Sequence, residues 1–296
     1  MARRVESLVF LIICCAGLWP QAVRAQAAPD LIVGDIPAVV RLGHSGDITV
    51  YGVASTACNV GDAPADWHNA TSQHPVTVQN LYRLKDGRFE QIGQSWAVHN
   101  IFALQESLCS ECAASGTFEL LGVGCSTPNT AGFNGFQMIL GPRSQINAAT
   151  GQFPYPFSAP PPTPISGRRL QVHDAELLPA LNAGAEYFTE VQYVAADDAG
   201  AGHGANNASY RRVTVSQGRA GILLIDVADL TQQRKPAIRA WADQDSAVQL
   251  TPVSLPGDGQ FWVASKATDL GGGLWHYEYA IQNLSSDRSA GSLNVG

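Results

Sequence analysis

Charged residues, and lysine above all, are scarce in this sequence. Only 15% of the 296 residues are charged, and the 18 basic residues include just three lysines, Lys85, Lys235 and Lys266. A charged fraction well below the usual ~25% excludes a coiled coil or a polyelectrolyte tail. Hydrophobic residues make up 45% of the chain, which excludes a largely disordered protein. We therefore expect one large domain or two ordinary ones, each with a packed core.

Complete catalytic and nucleotide-binding motifs are also missing. The sequence contains neither a G-x-x-x-x-G-K phosphate loop nor a strand followed by G-x-G-x-x-G, so nucleotide chemistry is not expected. No HxH, HxxxH or HExxH spacing brings two histidines to one metal ion. GQSWA at 93–97 and GHSGD at 43–47 each miss the G-x-S-x-G nucleophile elbow. Ser95 is therefore expected to be a strand residue.

Residues 1–25 predict a secretory signal peptide. Arg3 and Arg4 precede the apolar run LVFLIICCAGLW at 8–19, and small residues allow cleavage after Ala25 or Ala27. The run is too short to span a bilayer comfortably, so we expect no membrane span after cleavage. Cleavage after Ala25 removes three arginines and one glutamate and changes the net charge from −7 to −9. Because the protein is acidic, nucleic acid is not an expected partner. Because it carries a predicted signal peptide, we expect it to be secreted, at the cell surface or periplasmic.

Four cysteines follow the predicted signal peptide: Cys58, Cys109, Cys112 and Cys125. An even number of cysteines in an exported chain favours two disulfide bonds, for which three pairings are possible. Two alternatives stay open on the sequence alone. The CSEC pair at 109–112 could be redox-active, or the four thiolates could hold a zinc ion.

Alternating apolar and polar residues predict β-strands along most of the chain. The pattern occurs in six segments: 47–55, 75–96, 186–195, 220–228, 259–268 and 274–283. Segment 75–96 is typical of a hairpin around Asp86-Gly87, and three glycines at 271–273 separate the last two strands. One face of the last strand carries four large side chains: Trp275, Tyr277, Tyr279 and Ile281.

The expected fold class is mainly β, in two units. We expect a disulfide-stabilised, sandwich-like first domain with long loops at 28–216, followed by a partial immunoglobulin-like sandwich at 217–296. The second unit supplies about four strands where such a sandwich has about seven, so we expect either a truncated C-terminus or a sheet completed against the first domain. A Pro-rich stretch at 153–164 predicts an extended loop or linker. Short helices are expected only at 103–114 and 176–182.

Five segments together resemble an uncharacterised family of secreted bacterial β-rich proteins. They are QHPVTVQNLYRLKDGRFEQIGQSW (73–96), LGPRSQINAATGQFPYPF (140–157), GRRLQVHDAEL (167–177), NNASYR (206–211) and LWHYEYAIQNLSSDRS (274–289). The resemblance covers nearly all of the chain after the signal peptide, and members of the family continue beyond this chain's last residue. It implies export, and it assigns no role to any residue because the family has no assigned activity.

Five residues are candidate catalytic groups: His68, His74, His99, Ser144 and His173. The first three lie in the part of the chain that holds the cysteines, and imidazole is the commonest ligand of copper and zinc. The loop between His68 and His74 allows both rings to converge. Ser144 with His173 and Asp174 forms a conceivable hydrolytic set. The plainer alternative is that these are ordinary hydrogen-bonded side chains.

Oxygen ligands suited to calcium lie between 197 and 207. Asp197 and Asp198 precede a run of glycines, and Asn206 and Asn207 follow it, so carboxylates and amides stand on a flexible backbone. The spacing matches neither an EF-hand loop nor an RTX repeat. The alternative is a solvated Gly/Asn/Asp turn. Calcium is thus the expected ion if the protein binds one, and copper or zinc is the less expected choice.

Acidic and aromatic residues also allow a sugar-binding or sugar-cleaving site. Glu186 and Glu190 share one strand face with Phe188, and glycoside cleavage needs two carboxyl groups in a groove. Acids on a sheet surface are more often solvated than catalytic, which is the expectation here. Seven aromatic residues could line a stacking face, although most are expected in the core: Trp67, Tyr82, Trp96, Tyr155, Phe157, Trp262 and Trp275.

The leading functional hypothesis is a non-enzymatic binding or structural module for an extracellular polymer or surface protein. It rests on the predicted export, the β architecture and the lack of a complete catalytic motif. The alternative is an extracellular hydrolase or metal-dependent enzyme with its site in the first domain. Loop histidines together with Arg143, Arg168 and Arg169 motivate that alternative.

Overall fold

The computed structural model describes residues 27–99, 101–158 and 167–294, and the predicted signal peptide lies outside them. The strands in chain order are β1 (Leu31–Asp35), β2 (Val39–Ser45), β3 (Ile48–Val53), β4 (Ser55–Asn59), β5 (Ala65–Asp66), β6 (Val76–Lys85), β7 (Arg88–Gln94), β8 (Ala97–Val98), β9 (Leu120–Leu121), β10 (Ser126–Asn129), β11 (Leu140–Gly141), β12 (Leu170–His173), β13 (Glu186–Val194), β14 (Ala208–Gln217), β15 (Leu223–Val227), β16 (Gln249–Ser254), β17 (Gln260–Gly271) and β18 (Leu274–Asn283). The α-helices among them are short: α1 (Ala131–Asn134), α2 (Asp174–Leu177), α3 (Ala196–Gly200) and α4 (Arg239–Gln244). The predicted mainly β class is confirmed.

A ten-stranded antiparallel sheet dominates the described residues. Eight of its strands follow the order β15-β14-β13-β6-β7-β12-β3-β2, and β8 and β11 pair at its side. The sheet is curled, so that strands near its opposite ends meet. The hydroxyl of Tyr51 on β3 donates to the carbonyl of Leu223 on β15 at 3.1 Å. Strands rotate relative to their neighbours, and over this many strands that twist brings the two ends of a sheet toward each other.

The hairpin predicted at 75–96 is confirmed as β6 and β7. Asp86 and Gly87 form its two-residue turn with φ angles of 52° and 79°. Positive φ at both central residues gives the turn a twist that matches the flanking strands, and glycine adopts it without strain. The hairpin of β17 and β18 is confirmed as well, with glycines at 271–273 in the same left-handed region.

The main core lies between the curled sheet and a smaller sheet of order β1-β4-β10. Alternate residues of each strand point into this core, as the period of two requires. They include Tyr51 on β3, Leu81 on β6, and Tyr187, Val191 and Tyr193 on β13, all of them buried. The first part of the chain is therefore sandwich-like.

A second core covers the outer face of the main sheet. Phe188 on β13 and Tyr210 on β14 pack there with Trp241 of α4 and Trp262 of β17. The third sheet, of order β16-β17-β18, is thereby held against β6, β7 and β13. The residues predicted to form a partial immunoglobulin-like unit divide between two sheets, since β15 pairs with β14 in the main sheet.

Two disulfide bonds, Cys58–Cys109 and Cys112–Cys125, tie the long loop before β9 to the small sheet. They confirm the disulfide prediction, leave none of the four thiols for a zinc site, and indicate an oxidising compartment. The helix predicted at 103–114 is wrong. Glu106 forms a β-bridge with Ser126 and Ala113 forms one with Val123, so this backbone hydrogen-bonds to a later segment of the chain and not within a helix. Among the described residues, no helix is long and apolar enough to cross a membrane.

Removing the Cys58–Cys109 bond should lower the free energy of unfolding by about 2–5 kcal/mol. The bond joins residues 51 apart, whereas Cys112–Cys125 joins residues 13 apart. The longer closed loop restricts the unfolded chain more, so the double variant Cys58→Ala/Cys109→Ala should be the less stable by about 1 kcal/mol. Urea unfolding of both double variants measures this, and the opposite ranking would contradict it.

Candidate functional site

A polar cleft of about 250 Å³ lies where the main sheet meets β18. Two charged side chains, Glu190 and Arg143, and two stacked rings, Tyr82 and Phe89, contribute to its walls. The remaining polar lining consists of side-chain amides: Asn80, Gln91, Gln94, Gln192, Gln282 and Asn283. A concave site with converging polar groups is the natural candidate for ligand binding.

Strand register places these groups together. Glu190 on β13 lies directly across from Asn80 on β6, and Phe188 lies across from Tyr82. These residues point to the outer face of the sheet, because Tyr187 and Val191 point into the main core. The outer face is covered by β18 rather than by solvent, so its polar residues line an enclosed cleft.

The carboxylate of Glu190 is fully buried and accepts four hydrogen bonds. Its Oε1 accepts from Asn80 Nδ2 at 2.8 Å and from the Tyr82 hydroxyl at 3.0 Å. Its Oε2 accepts from the Ala237 amide at 2.6 Å and from Gln282 Nε2 at 2.7 Å. A buried carboxylate is stable only with such partners. These four donors join the main sheet to the C-terminal segment.

Arg143 supplies the opposite charge on the other side of Asn80. Its Nη2 donates to Asn80 Oδ1 at 2.9 Å and to the Gln79 carbonyl at 2.8 Å, and its Nε donates to the Ser95 carbonyl at 2.5 Å. Burial lowers the pKa of Arg143 to about 10, so the guanidinium stays charged at neutral pH. Asn80 therefore bridges a buried carboxylate and a partly buried guanidinium of opposite charge.

Burial also raises the pKa of Tyr82 well above its usual value, and the charge of Glu190 raises it further. The phenol thus remains a neutral hydrogen-bond donor. Gln91 and Gln94 on β7 are exposed at the mouth of the cleft. The side chain of Gln94 and Oε1 of Gln91 make no hydrogen bond within the described residues and are open to a ligand, while the carboxylate that could act as a base is already engaged.

The expectation that the acids of β13 are solvated is wrong for Glu190. It holds better for Glu186, which is half-buried at the strand end, 3.4 Å from Arg212. Glu190 shares its strand face with the large apolar side chain of Phe188, which packs in the second core. That apolar neighbour is the sequence feature that indicated a buried face. What the sequence did not reveal was the covering segment, which begins 47 residues after Glu190 at Ala237.

His74 and His99 are brought together as a buried pair, with His74 Nε2 and His99 Nδ1 3.2 Å apart. Phe153 and Tyr155 pack edge-on against His74, and Phe157 lies tilted against His99. Burial lowers the pKa of both imidazoles to about 4, so both are neutral at pH 7. The three aromatic residues belong to the predicted Pro-rich stretch at 153–164, of which residues 153–158 are described.

The side chains of the other catalytic candidates make contacts of their own. The ring of His68 lies 3.7 Å from Asp66 and 3.5 Å from Glu119, in ion-pair range. Ser144 is exposed in a short turn, and His173 Nδ1 is 3.2 Å from Asp47. Among the described residues no hydrogen bond links Ser144 to His173, and the hydrolytic set stays a prediction.

The two other arginines of the enzyme hypothesis hold backbone carbonyls in place. Arg168 stacks 5.0 Å from the ring of Trp96 and donates to the carbonyl of Leu140. Arg169 donates to the carbonyls of Gly135 and Leu42. Both guanidinium groups therefore fix loops around the main sheet.

The residues of the calcium prediction lie together at α3 and the loop after it. Asp197 accepts from the backbone amides of Asp66 at 2.7 Å and Asp198 at 2.9 Å. Asp198 accepts from the Leu31 amide and from the side chain of Asn207, each at 2.7 Å. These side chains connect the loop to the start of β1, and calcium binding there stays a prediction.

Comparisons with protein-family models, curated proteins and solved structures found no match to this chain.

Replacing Glu190 by glutamine should destabilise the protein by about 3 kcal/mol, because an amide NH₂ would face donors that now meet a carboxylate oxygen. Glu186→Gln on the same strand is the matched control and should cost less than about 1 kcal/mol, as expected for a partly exposed ion pair. Urea unfolding at pH 7 measures both. Equal effects would show that the Glu190 network contributes little.

The His74–His99 pair should make stability depend on pH between about 6.5 and 4. The folded-state pKa of each ring is lowered to about 4 from 6.5, so the unfolded chain binds more protons in that window. Stability is then fully present above pH 6.5 and falls as pH drops toward 4, by about 3 kcal/mol per ring.

Urea unfolding across this pH range tests the expectation. The double variant His74→Gln/His99→Gln has no imidazole to protonate at this position, so its stability should depend less steeply on pH than that of the parent protein. The comparison concerns the slope, so it holds even if the variant is less stable throughout. An unchanged slope would assign the pH dependence to other groups.

Proposed function

We propose that this protein is an exported, non-enzymatic binding module that holds a sugar unit of a neutral extracellular polysaccharide in the polar cleft. The observation that carries the proposal is a cleft lined by six side-chain amides, among them the exposed Gln91 and Gln94, beside a carboxylate whose oxygens already accept four hydrogen bonds. An engaged carboxylate favours binding over proton transfer. The hydrolase or metal-dependent enzyme stays the alternative prediction.

The chemistry of the cleft suits a sugar. Each hydroxyl group of a sugar donates and accepts hydrogen bonds, and each side-chain amide does the same. The stacked rings of Tyr82 and Phe89 add an apolar wall for the C–H face of a pyranose. At about 250 Å³ the cleft is smaller than the roughly 300–1,000 Å³ of drug-sized sites, which favours a single sugar unit.

An exposed aromatic row supports a polymer rather than a free sugar. Trp275, Tyr277 and Tyr279 on β18 are 52%, 56% and 36% exposed, and they alternate along one face roughly 6.8 Å apart. Their partners on β17 include Ala267 and Ser265, whose small side chains leave the rings uncovered. Gln282 of β18 faces the cleft, and the three rings lie on the opposite face of the same strand, so the row offers a second, separate surface for a longer chain.

Charge and location agree with this partner. A formal net charge of −9 after removal of the predicted signal peptide opposes polyanionic polymers and leaves neutral ones unaffected. Two disulfides suit an oxidising extracellular or periplasmic location, and the predicted signal peptide supplies the route. We infer a secreted or cell-surface protein on these grounds.

The test is binding of the purified protein to neutral polysaccharides such as glucan, xylan and mannan, with alginate and pectin as anionic comparisons. Calorimetry with short oligosaccharides should show that Gln94→Ala weakens binding about tenfold, the effect of one lost hydrogen bond of about 1.4 kcal/mol. Gln249→Ala, an exposed glutamine on β16, is the matched control and should not change the affinity.

Trp275→Ala should weaken binding to the polymer more than to an oligosaccharide confined to the cleft. Binding to alginate or pectin alone would contradict the charge argument. Binding to none of these polymers, or an unchanged affinity in Gln94→Ala, would overturn the proposed function and favour a protein partner.

A further inference from the structure

A separate cavity of about 810 Å³ lies at the other end of β13, between α3 and the residues before β1. Asp30, Asp198 and His203 meet at its edge, each offering a ligand atom within 4.8 Å of the others. Asp198 is buried, and the other two are half-buried. His203 is the one basic residue among those that line the cavity in the described part of the chain.

The ring of His203 makes the kind of hydrogen bond that metal-binding histidines usually make. Its Nδ1 lies 2.7 Å from the carbonyl oxygen of Pro29. A carbonyl only accepts, so Nδ1 carries the proton and the lone pair is on Nε2. Metal-binding histidines usually donate their second ring nitrogen to a carbonyl or carboxylate in this way.

The two carboxylates are also held by hydrogen bonds that leave lone pairs open. Asp198 accepts one bond at Oδ1 from the Leu31 amide and one at Oδ2 from Asn207 Nδ2. Asp30 accepts one at Oδ1 from Asn206 Nδ2 at 2.9 Å. A carboxylate oxygen has two lone pairs, so each of these oxygens keeps one for a further ligand.

Two buried oxygens beside the cluster point independently to a missing partner. Asn207 is 98% buried, since it is only 2% exposed, and its Oδ1 has no hydrogen-bond partner among the described residues. Oδ1 of Asn206, a half-buried residue, also has no hydrogen-bond partner among the described residues. Both amides touch the cluster through Nδ2, so covalent geometry keeps their oxygens within about 5 Å of the carboxylates. Buried carbonyl oxygens normally have a partner.

The local charge favours a cation. Asp30, Asp197 and Asp198 bring three carboxylates to this edge of the cavity. A cation at the edge of the cavity would offset this accumulation of negative charge.

We propose that Asp30, Asp198 and His203 form a binding site for a divalent transition-metal ion, with Zn²⁺ as the expected ion. Two carboxylates and one imidazole are a zinc-type ligand set, and the open cavity leaves room for a water molecule as a fourth ligand. Calcium takes oxygen ligands only, so a site that uses His203 does not favour it. Asp198 is common to this site and to the calcium prediction, whereas Asp197 faces backbone amides.

The test is a Zn²⁺ titration of the purified, oxidised protein after chelator treatment, in competition with a chromophoric chelator. We expect one tightly bound Zn²⁺ per chain. His203→Gln and Asp30→Asn should each weaken binding at least tenfold, because each removes a ligand. His44→Gln is the matched control: it removes another histidine that pairs with an aspartate, Asp174, at 2.8 Å, and it should leave the affinity unchanged.

Circular dichroism in chelator verifies that each variant folds, and the two ligand variants serve as independent tests. Co²⁺ in place of Zn²⁺ should give d–d absorption bands in the parent protein that are lost in His203→Gln. No stoichiometric Zn²⁺ binding, or an affinity in both ligand variants equal to that of the parent protein, would overturn the proposal. Ca²⁺ binding that exceeds Zn²⁺ binding and persists in His203→Gln would also overturn it, in favour of an oxygen-only site.

Discussion

The buried carboxylate of Glu190 is the constraint on which the two-layered arrangement depends. It lies in the middle of β13, and its four donors come from β6, from the turn before α4 and from β18. An uncompensated charge here would be very costly, so the C-terminal segment must dock in this one position to satisfy it. Aromatic packing around Trp241 and Trp262 buries the apolar surface between the main sheet and the C-terminal segment. The carboxylate of Glu190 fixes where the segment docks.

The cleft follows from the same requirement. Polar groups that complete the network of Glu190 and Arg143 prevent close apolar packing between the sheets, which leaves an amide-lined opening at the mouth. Its fixed hydrogen-bonding groups and the aromatic row on β18 both suit a neutral polymer. The second polar cluster, around Asp198, fastens the loop after β13 to β1 with a different set of groups. One strand thus leads to both sites.

Local patterns predicted the strands well. Alternation and the Asp86-Gly87 turn predict β6 and β7 almost to the residue, because both signals act within a few positions. The helix expected at 103–114 is absent because two disulfides and the bridges to Val123 and to Ser126 of β10 determine the path of that backbone. The sites depend on contacts between distant residues: Glu190 meets Gln282, and Asp198 meets Leu31, 167 positions away. No spacing rule in a single sequence reveals such pairs.

The most direct test of the central claim is a titration of ¹⁵N-labelled protein with neutral glucan, xylan or mannan hexamers, followed through its side-chain amide resonances. We expect the amide signals of Asn80, Gln91 and Gln94 to shift together and to saturate at one ligand per chain. The amide of Gln249, on the exposed strand β16, should not move. Shifts confined to residues outside the cleft, or no saturable shift with any hexamer, would contradict a sugar site at this junction.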